Sequence, residues 1–433
     1  MLKNIFEIIK SQVQSLPGEE CNLVRRLFSN SQLEEVKKKG VSLFGAGVVA
    51  NEIFRALTYH NIAVNRFVVS KNSHLDQRFC GLHVVDLSEY VQKEYDDSVQ
   101  IAVSRDEPEV VNILLASGVK TDRIIPLKYD LSVSAAIADP TQITIELLSK
   151  EGEIGLLKKL ENDKDELQEA YYSLENEFSR NLFLAKIVAL VKYQNVTTLS
   201  EFLRAYSDPI RYYGPVPLFG YPESRCYFLN ALDGVDDGDQ FLIDVGAYDG
   251  CSVEQFKLQC LEKSLGYQAI AFEPDPKNFA ALRVRIGLDP NIRLENVGIW
   301  SQRAKLKFKS SNNFLLRSSS EISDDGDIEV PVISLDSLKF SKRITIIKAD
   351  PPGLHVALEV LKGARNTITE HLPLLIFPAY HSFDAIYKMP LALKALDLKY
   401  KIFLRHLSWS IQETDVFAVP PDIRVPPSME ATV

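Results

Sequence analysis

The sequence predicts an α/β protein in which two parallel-sheet domains are joined by a helical connector. Two apolar runs each lead into a glycine-containing turn and then into a helix, first at 41–57 and again at 241–255. A further apolar run follows each helix, and such alternation of strand and helix is typical of parallel sheets with right-handed crossovers. The stretch between the two units is rich in Leu, Glu and Lys, which indicates helices.

The length and composition limit the number of domains and the class of partner. The chain has 433 residues, of which 46% are hydrophobic and 25% charged, so it is globular and long enough for two or three domains. Its net charge of -9 argues against nucleic acid as a partner. No apolar run reaches the roughly 18 residues of a membrane span, and the first residues lack a signal-peptide pattern. Five scattered cysteines fit a reducing compartment, so we expect a cytoplasmic protein.

Changes in this pattern divide the chain into four segments. We expect a helical N-terminal segment at 1–38, an α/β domain at 39–135, a helical connector at 136–207 and a second α/β domain at 208–433. The last boundary is marked at 208–222 by a cluster of prolines and glycines, which ends the helical pattern.

A glycine turn follows the first strand of the first domain. The run Val41–Phe44 leads into Gly45 and Gly47, which resemble the start of a dinucleotide fingerprint with phosphate at the N-terminus of the next helix. However, the next strand, Val64–Val69, is not followed by the acid that would hold an NAD ribose. Two interpretations stay open: nucleotide binding, with NAD(P)-dependent oxidoreduction as its activity, or glycines that serve helix–sheet packing.

The second glycine turn lies between two carboxylates. Asp244 stands near the end of one apolar strand, where a carboxylate can engage the ammonium group of a methionine moiety. Glu273 ends the next strand, where a carboxylate can accept both hydroxyls of a ribose. We expect the helix between them to begin near Ser252 as its N-cap. The pattern predicts an S-adenosylmethionine site whose residues include Asp244, Gly246, Ala247, Tyr248, Gly250, Glu273 and Pro274.

Further motifs follow in an order that resembles one family. They are NVG at 296–298, LDSL at 335–338, KADPPG at 348–353, LKGA at 361–364, YH at 380–381 and RH at 405–406. Together with the two carboxylate strands, they are similar to the FkbM family of S-adenosylmethionine-dependent methyltransferases over about 210–420. The resemblance implies a class I methyltransferase fold for the second of two Rossmann-like domains, with Asn296 beside the adenine. It also implies O-methylation of a hydroxylated small molecule, such as a saccharide or sugar nucleotide.

One position departs from the family pattern of Lys-x-Asp-x-Glu-Gly. The chain has the sequence KADPPG at 348–353, so Pro352 stands where the family usually has glutamate. Consecutive prolines remove two backbone N–H donors and fix the local backbone. An alternative therefore stays open, in which the domain keeps the methyltransferase fold as a catalytically silent binding protein.

A neutral hydroxyl is a poor nucleophile, so the predicted reaction needs a base near the acceptor. His381 and Asp350 are the expected catalytic residues, and Tyr380, Arg405 and His406 are expected to bind the acceptor. The alternatives are a hydrogen-bonded structural histidine for His381, a solvent-facing side chain for His406 and a surface ion pair for Arg405. The histidines show no metal-ligand spacing, so we expect no required metal.

Overall fold

The structure, a computed structural model, confirms the predicted α/β fold class. It describes residues 4–15, 28–46, 50, 53–54, 57–58, 61–70, 78–93, 95, 97–101, 107–125, 143–191, 232, 238–309, 321–322, 326, 328–406 and 414–423. The helices of this part are α1 (Ile5–Ser15), α2 (Asn30–Lys39), α3 (Leu87–Gln92), α4 (Glu107–Ala116), α5 (Ile143–Asn162), α6 (Lys164–Ser173), α7 (Glu177–Val191), α8 (Cys251–Glu262), α9 (Pro276–Ile286), α10 (Leu354–Gly363), α11 (Arg365–His371) and α12 (Ala385–Lys394). Among them, none combines the length and apolarity needed to cross a bilayer.

The strands form three sheets. They are β1 (Val41–Phe44), β2 (Val64–Val69), β3 (Arg78–Phe79), β4 (Leu82–Asp86), β5 (Ser98–Ile101), β6 (Ile124–Ile125), β7 (Gln240–Val245), β8 (Tyr267–Phe272), β9 (Ile292–Glu295), β10 (Gly298–Ile299), β11 (Ala304–Lys309), β12 (Glu321–Ile322), β13 (Ile328–Ile333), β14 (Ile346–Ala349), β15 (Leu374–Pro378), β16 (Lys401–His406) and β17 (Thr414–Val419).

The first sheet has the order β3-β4-β2-β1-β5-β6 and is parallel except at the β3 edge. All four residues of β1 are buried, as expected for a central strand of a parallel sheet covered on both faces. Leu33 and Val36 of helix α2 pack in one hydrophobic cluster with the buried residues of this sheet. The chain leaves β1 toward β2 and later returns to its other side as β5, so the strand order reverses between β1 and β5.

The largest sheet has the order β16-β17-β15-β14-β7-β8-β9, and only β17 runs antiparallel to its neighbours. The predicted strand–helix–strand unit is present as β7, α8 and β8, with β7 and β8 parallel neighbours. On its other side β7 pairs with β14, so the strand order reverses there. Open α/β sheets bind ligands at the carboxyl edge beside such a reversal.

A small sheet with the order β10-β13-β11-β12 accompanies the large one. The resemblance to the FkbM family implies a third strand within 291–300 that ends at 296–298, but the structure divides that segment between β9 of the large sheet and β10 of the small one. The side-chain amide of Asn296 lies at the division and donates to the backbone oxygens of Glu273, at 2.8 Å, and Pro274, at 3.2 Å. These hydrogen bonds hold the chain against the end of β8 while it changes sheets.

The helices of the predicted connector pack against the large sheet. The backbone N–H of Glu175 donates to Ile402 of the edge strand β16 at 2.8 Å, and the Tyr387 hydroxyl of α12 donates to Asp163 at 2.6 Å. Buried side chains of α5, α6 and α7 share one hydrophobic cluster with β7 and β15. Helix α1 belongs to this cluster too, whereas α2 belongs to the first sheet. Two regions that the sequence presents as separate segments therefore contribute to the core of the second domain.

Candidate functional site

The carboxyl ends of β7 and β14 contain a buried ion pair. Asp244 and Lys348 are direct neighbours in the register of the two strands, and Lys348 Nζ lies 3.2 Å from Asp244 Oδ1. Ser252 donates a hydrogen bond to the other carboxylate oxygen, Oδ2. Asp244 is 0% exposed and Lys348 is 5% exposed. A buried charge is costly unless it is paired, and the Asp244 carboxylate favours the charged form of Lys348.

Two of these residues have roles that differ from the sequence-based expectation. The prediction of Ser252 as N-cap is wrong, because α8 begins at Cys251 and Gly250 is its N-cap, with a φ of 89° in the left-handed region. The serine hydroxyl instead turns inward to Asp244. Neither Ser252 nor Lys348 is among the predicted site residues. A lysine inside the apolar run of β14 was the available signal, since a buried lysine needs a partner.

The turn after β7 approaches the end of β14 closely. Gly246 has a φ of 76°, and a Cβ atom at this position would lie 2.8 Å from the backbone oxygen of Asp350. The N–H groups of Gly246 and Ala247 both donate to the Phe272 carbonyl oxygen, at 2.9 and 3.0 Å. Tyr248 follows with a φ of 51°, which is uncommon for a residue with a side chain. The turn therefore brings the ends of β7, β8 and β14 together.

We expect Gly246→Ala to lower the free energy of unfolding by about 2–5 kcal/mol, because the left-handed conformation costs about 1–2 kcal/mol and the contact with Asp350 adds overpacking of about 1–3 kcal/mol. Gly238→Ala is the matched control, since Gly238 has a φ of 96° and a Cβ atom added to it would have no neighbour within 4 Å. Urea unfolding of both variants measures the difference. If both variants lose the same free energy of unfolding, the close approach of Gly246 to the Asp350 backbone oxygen does not contribute to the loss.

Glu273 lies at the end of β8, as predicted, and is buried beneath this turn. Its Oε2 accepts the Tyr248 N–H and its Oε1 accepts the Asp275 N–H, both at 2.9 Å. Burial raises the pKa of Glu273 to about 7, although the two backbone hydrogen bonds oppose this shift. The carboxylate therefore titrates near neutral pH. A ligand that binds its ionised form more tightly should bind with an affinity that depends on pH.

Three predicted residues meet at the carboxyl edge beside the ion pair. The Tyr380 hydroxyl donates to Asp350 Oδ1 at 2.9 Å, and His381 Nε2 lies 2.9 Å from the same oxygen. The rings of Tyr380 and His381 are 4.2 Å apart between centroids. Asp350 and His381 are partly exposed, with 25% and 23% of their side-chain surfaces accessible. The group is therefore ordered by contacts within itself and is open to a ligand.

The charge state of this group follows from its neighbours. Burial by itself raises the pKa of Asp350, but the hydrogen bond with His381 and the nearby Lys348 ammonium lower it below the ordinary value. For Lys348, burial lowers the pKa, and the carboxylates of Asp244 and Asp350 outweigh it and raise the pKa above the ordinary value. An ionised carboxylate only accepts hydrogen bonds, so His381 carries its proton on Nε2, and Nδ1 has the lone pair when the ring is neutral.

Arg405 and His406 are buried, so the two alternatives to acceptor binding, a surface ion pair for Arg405 and a solvent-facing side chain for His406, are wrong. Arg405 Nη1 donates to Ser179 Oγ of α7 at 2.9 Å, and its guanidinium lies 4.8 Å from the centre of the Phe178 ring. His406 Nδ1 lies 2.8 Å from Thr414 Oγ1 on β17. Helix α7 covers this end of β16 and packs against Arg405. Acceptor binding by Arg405 and His406 stays a prediction.

The glycine turn of the first domain is described only in part. Gly45 has a φ of 122°, and its N–H donates to Val68 at 2.8 Å, which ties the turn to β2. Gly47 lies outside the described residues. Nucleotide binding and helix–sheet packing therefore both stay predictions for this turn. Within the described ranges, no group of three or more His, Cys, Asp or Glu side chains is arranged to hold a metal ion.

Residues 244–400 match the family model described as the methyltransferase FkbM domain. The chain contains an FkbM methyltransferase domain. Its second domain is thus an S-adenosylmethionine-dependent methyltransferase, and the predictions of family, enzyme class and cofactor are confirmed. The matched segment begins at Asp244 and includes Glu273, Asp350 and His381.

Solved structures with a similar fold include methyltransferase FkbM from Methylobacillus flagellatus KT. The two proteins are 16% identical, and their structures superpose with a TM-score of 0.52 over 96% of this chain and 99% of the Methylobacillus chain. Fibrillarin from Aeropyrum pernix, in complex with natively bound S-adenosyl-L-methionine, is 13% identical with a TM-score of 0.28, covering 45% and 77% of the two chains. Since the second score is low, only the first structure bears on the fold. No curated protein matches the chain.

Proposed function

We propose that the FkbM methyltransferase domain transfers a methyl group from S-adenosylmethionine to a hydroxyl of a saccharide or related metabolite. The observation that carries this proposal is the group of Asp350, Tyr380 and His381 at the carboxyl edge of β14 and β15. A hydroxyl needs a base to become a good nucleophile, and a histidine oriented by a carboxylate is a common form of that base. Among the described residues, these are the predicted catalytic and acceptor-binding side chains that meet around one carboxylate.

The residues around the β7 turn fit the cofactor. Glu273 would accept the ribose hydroxyls. A carboxylate accepts about four hydrogen bonds, and the contacts of Glu273 with the Tyr248 N–H, the Asp275 N–H and the Asn278 side chain use only part of that capacity. Asp244, whose two oxygens contact Lys348 and Ser252, would hold the methionine ammonium group directly or through water. When bound, the cofactor supplies a methyl group activated by its sulfonium charge.

The protein side of the reaction requires one proton transfer. His381 Nδ1 takes the proton of the acceptor hydroxyl as the new oxygen–methyl bond forms, and Asp350 stabilises the resulting imidazolium ion from the Nε2 side. Tyr380 fixes the same carboxylate oxygen. Methyl transfer is otherwise helped chiefly by holding the two reactants in line.

The departure at Pro352 does not remove this arrangement. Pro351 is buried and Pro352 is partly buried, and both follow Asp350 without displacing its carboxylate from His381. Gly353 then turns the chain into α10 with a φ of 94°. An intact group of Asp350 and His381 favours turnover over a silent binding protein.

We expect the full chain to form an O-methylated product when it is incubated with S-adenosylmethionine and a panel of sugars, sugar nucleotides and other polyols. Transfer of a labelled methyl group, followed by mass spectrometry, detects the product and its site. Asp350→Asn is the control, because it keeps the shape of the side chain and removes its charge. Methylation of nitrogen would contradict the proposed reaction, and cofactor binding without any methylated product would favour the silent protein.

A further inference from the structure

We propose that Asp384 is a positioning residue, which fixes the turn that carries Tyr380 and His381 between β15 and α12. The inference rests on the proposed function in its assignment of His381 as the base. It adds to that function a residue that lies outside the group around Asp350 and acts on this group through the turn.

The carboxylate of Asp384 joins the turn to two helices. Its Oδ1 accepts a hydrogen bond from the Ser382 hydroxyl at 2.7 Å, and Ser382 directly follows His381. Its Oδ2 accepts a hydrogen bond from Lys388 Nζ of α12 at 2.9 Å and lies 3.8 Å from Lys159 Nζ of α5. Only 17% of the side-chain surface of Asp384 is accessible. One largely buried carboxylate therefore connects the turn with α12 and with a helix of the connector.

These contacts keep Asp384 ionised. Burial by itself raises the pKa of Asp384, but the hydrogen bonds from Lys388 and Ser382 and the charge of Lys159 outweigh burial and lower the pKa below the ordinary value. A hydrogen bond to an ionised acceptor is roughly twice as strong as one between neutral groups. The Ser382 hydroxyl is therefore held more firmly than it would be by a neutral partner.

The turn is also anchored at each of its ends. Before it, the backbone N–H of Ala379 donates to the backbone oxygen of Thr414 on β17 at 2.7 Å. After it, the Phe383 side chain is 1% exposed and packs in the hydrophobic cluster shared by the large sheet and the connector helices. Residues 380–382 lie between these two anchors, and Asp384 ties them to the second one.

Asp384→Ala tests this inference, because it releases Ser382 and lets the turn move. His381 must meet Asp350 through Nε2 and the acceptor through Nδ1 at the same time, so a small displacement of the turn breaks one of these contacts. A displacement of about 1 Å can slow a reaction by about 10²-fold. We expect kcat to fall by about 10- to 100-fold. The KM for the cofactor should stay near the wild-type value, because the turn lies on the acceptor side of the site.

Two further variants separate positioning from a general loss of stability. Asp384→Asn should recover most of the lost kcat, since either end of its amide can form a hydrogen bond with the Ser382 hydroxyl. Asp86→Ala is the matched control, because Asp86 is likewise the N-cap of a helix, α3, and accepts the hydroxyl of Ser88, two residues away, at 2.6 Å. Asp86 belongs to the first domain, so this control should keep the wild-type kcat.

A double-mutant cycle tests the route by which Asp384 acts. If Asp384 acts through His381, Asp384→Ala should have no further effect on kcat once His381 is alanine, because residues that act as one unit are not additive. If the two losses of kcat multiply instead, Asp384 acts on another part of the protein and the inference is overturned.

The Nε2 proton of His381 gives a readout that needs neither cofactor nor turnover. In the wild type Asp350 holds this proton, so we expect a resolved ¹H–¹⁵N signal by NMR, assigned by its absence from His381→Ala. In Asp384→Ala the proton should exchange with water, and its signal should broaden or vanish. Asp86→Ala should keep the wild-type signal.

The outcomes separate this inference from the proposed function. If His381→Ala keeps full activity, the proposed base is wrong, while the Nε2 signal still tests the effect of Asp384 on the ring. If His381→Ala is inactive but Asp384→Ala keeps the wild-type kcat and Nε2 signal, the inference is overturned. Should Asp384→Ala not fold, Ser382→Ala removes the same hydrogen bond from the other side and should lower kcat and weaken the signal in the same way.

Discussion

Replacing His381 with alanine is expected to lower kcat by about 10²–10⁴-fold, the contribution of a positioned general base. The reason is that Nδ1 of His381 is the proposed proton acceptor, and Asp350 holds the ring from the other side at 2.9 Å. The KM for the cofactor should change little, because the residues proposed to bind it lie on β7, on the turn after it and beyond the ends of β8 and β9. Steady-state kinetics with the methylated acceptor found in the panel measures both constants.

Two controls make this result specific. His355→Ala removes an exposed histidine at the start of α10 and should leave kcat near the wild-type value. Tyr380→Phe removes one hydrogen bond to the ionised Asp350 and should cost about 10- to 150-fold, in line with about 1.5–3 kcal/mol for a hydrogen bond to a charged group. If His381→Ala keeps kcat within a few-fold of the wild type, His381 is a structural residue and the base lies elsewhere.

The affinity for S-adenosylmethionine is expected to rise with pH through about 7, where Glu273 titrates. Ribose hydroxyls donate hydrogen bonds, so they favour the ionised form of the carboxylate. Affinity should therefore increase as pH rises toward the pKa of Glu273 and level off above it. Glu273→Gln should remove this dependence and weaken binding at high pH by roughly 10- to 150-fold, equivalent to about 1.5–3 kcal/mol for a hydrogen bond to a charged group.

Isothermal calorimetry across this pH range measures the effect. Glu295→Gln is the matched control, since Glu295 ends the neighbouring strand β9 but is partly exposed and paired with Arg293. That variant should keep the wild-type pH dependence. A wild-type affinity that does not change between mildly acidic and mildly basic pH would contradict the proposed contact between Glu273 and the ribose.

The parts of the site that follow from short-range pattern were predictable. An apolar strand, a glycine turn, a helix and a second strand ending in an acid are adjacent in sequence, so the positions of Asp244 and Glu273 follow from local rules. Asp350 and His381 were predictable for a different reason. Asp350 directly follows β14, and His381 comes soon after β15. The two strands are parallel neighbours, so their carboxyl ends lie at the same edge of the sheet.

The remaining features depend on which elements pack together, and short-range pattern does not specify that. Lys348 meets Asp244 only because β14 pairs with β7 in one register, although the two strands lie far apart in sequence. Arg405 is buried because α7 covers the end of β16, whereas alternation along β16 alone suggests an outward side chain. The division of residues 291–300 between two sheets depends in the same way on the long-range contact between Asn296 and Glu273.

A crystal structure of the full chain with S-adenosylhomocysteine would test the site most directly, because it shows which groups surround the position vacated by the methyl group. We predict that Asp350, Tyr380 and His381 border that side of the sulfur, with His381 Nδ1 facing it across the space for an acceptor hydroxyl. Glu273 should contact both ribose hydroxyls. A complex in which the side chains of Asp350, Tyr380 and His381 point away from the sulfur would contradict the proposed active site.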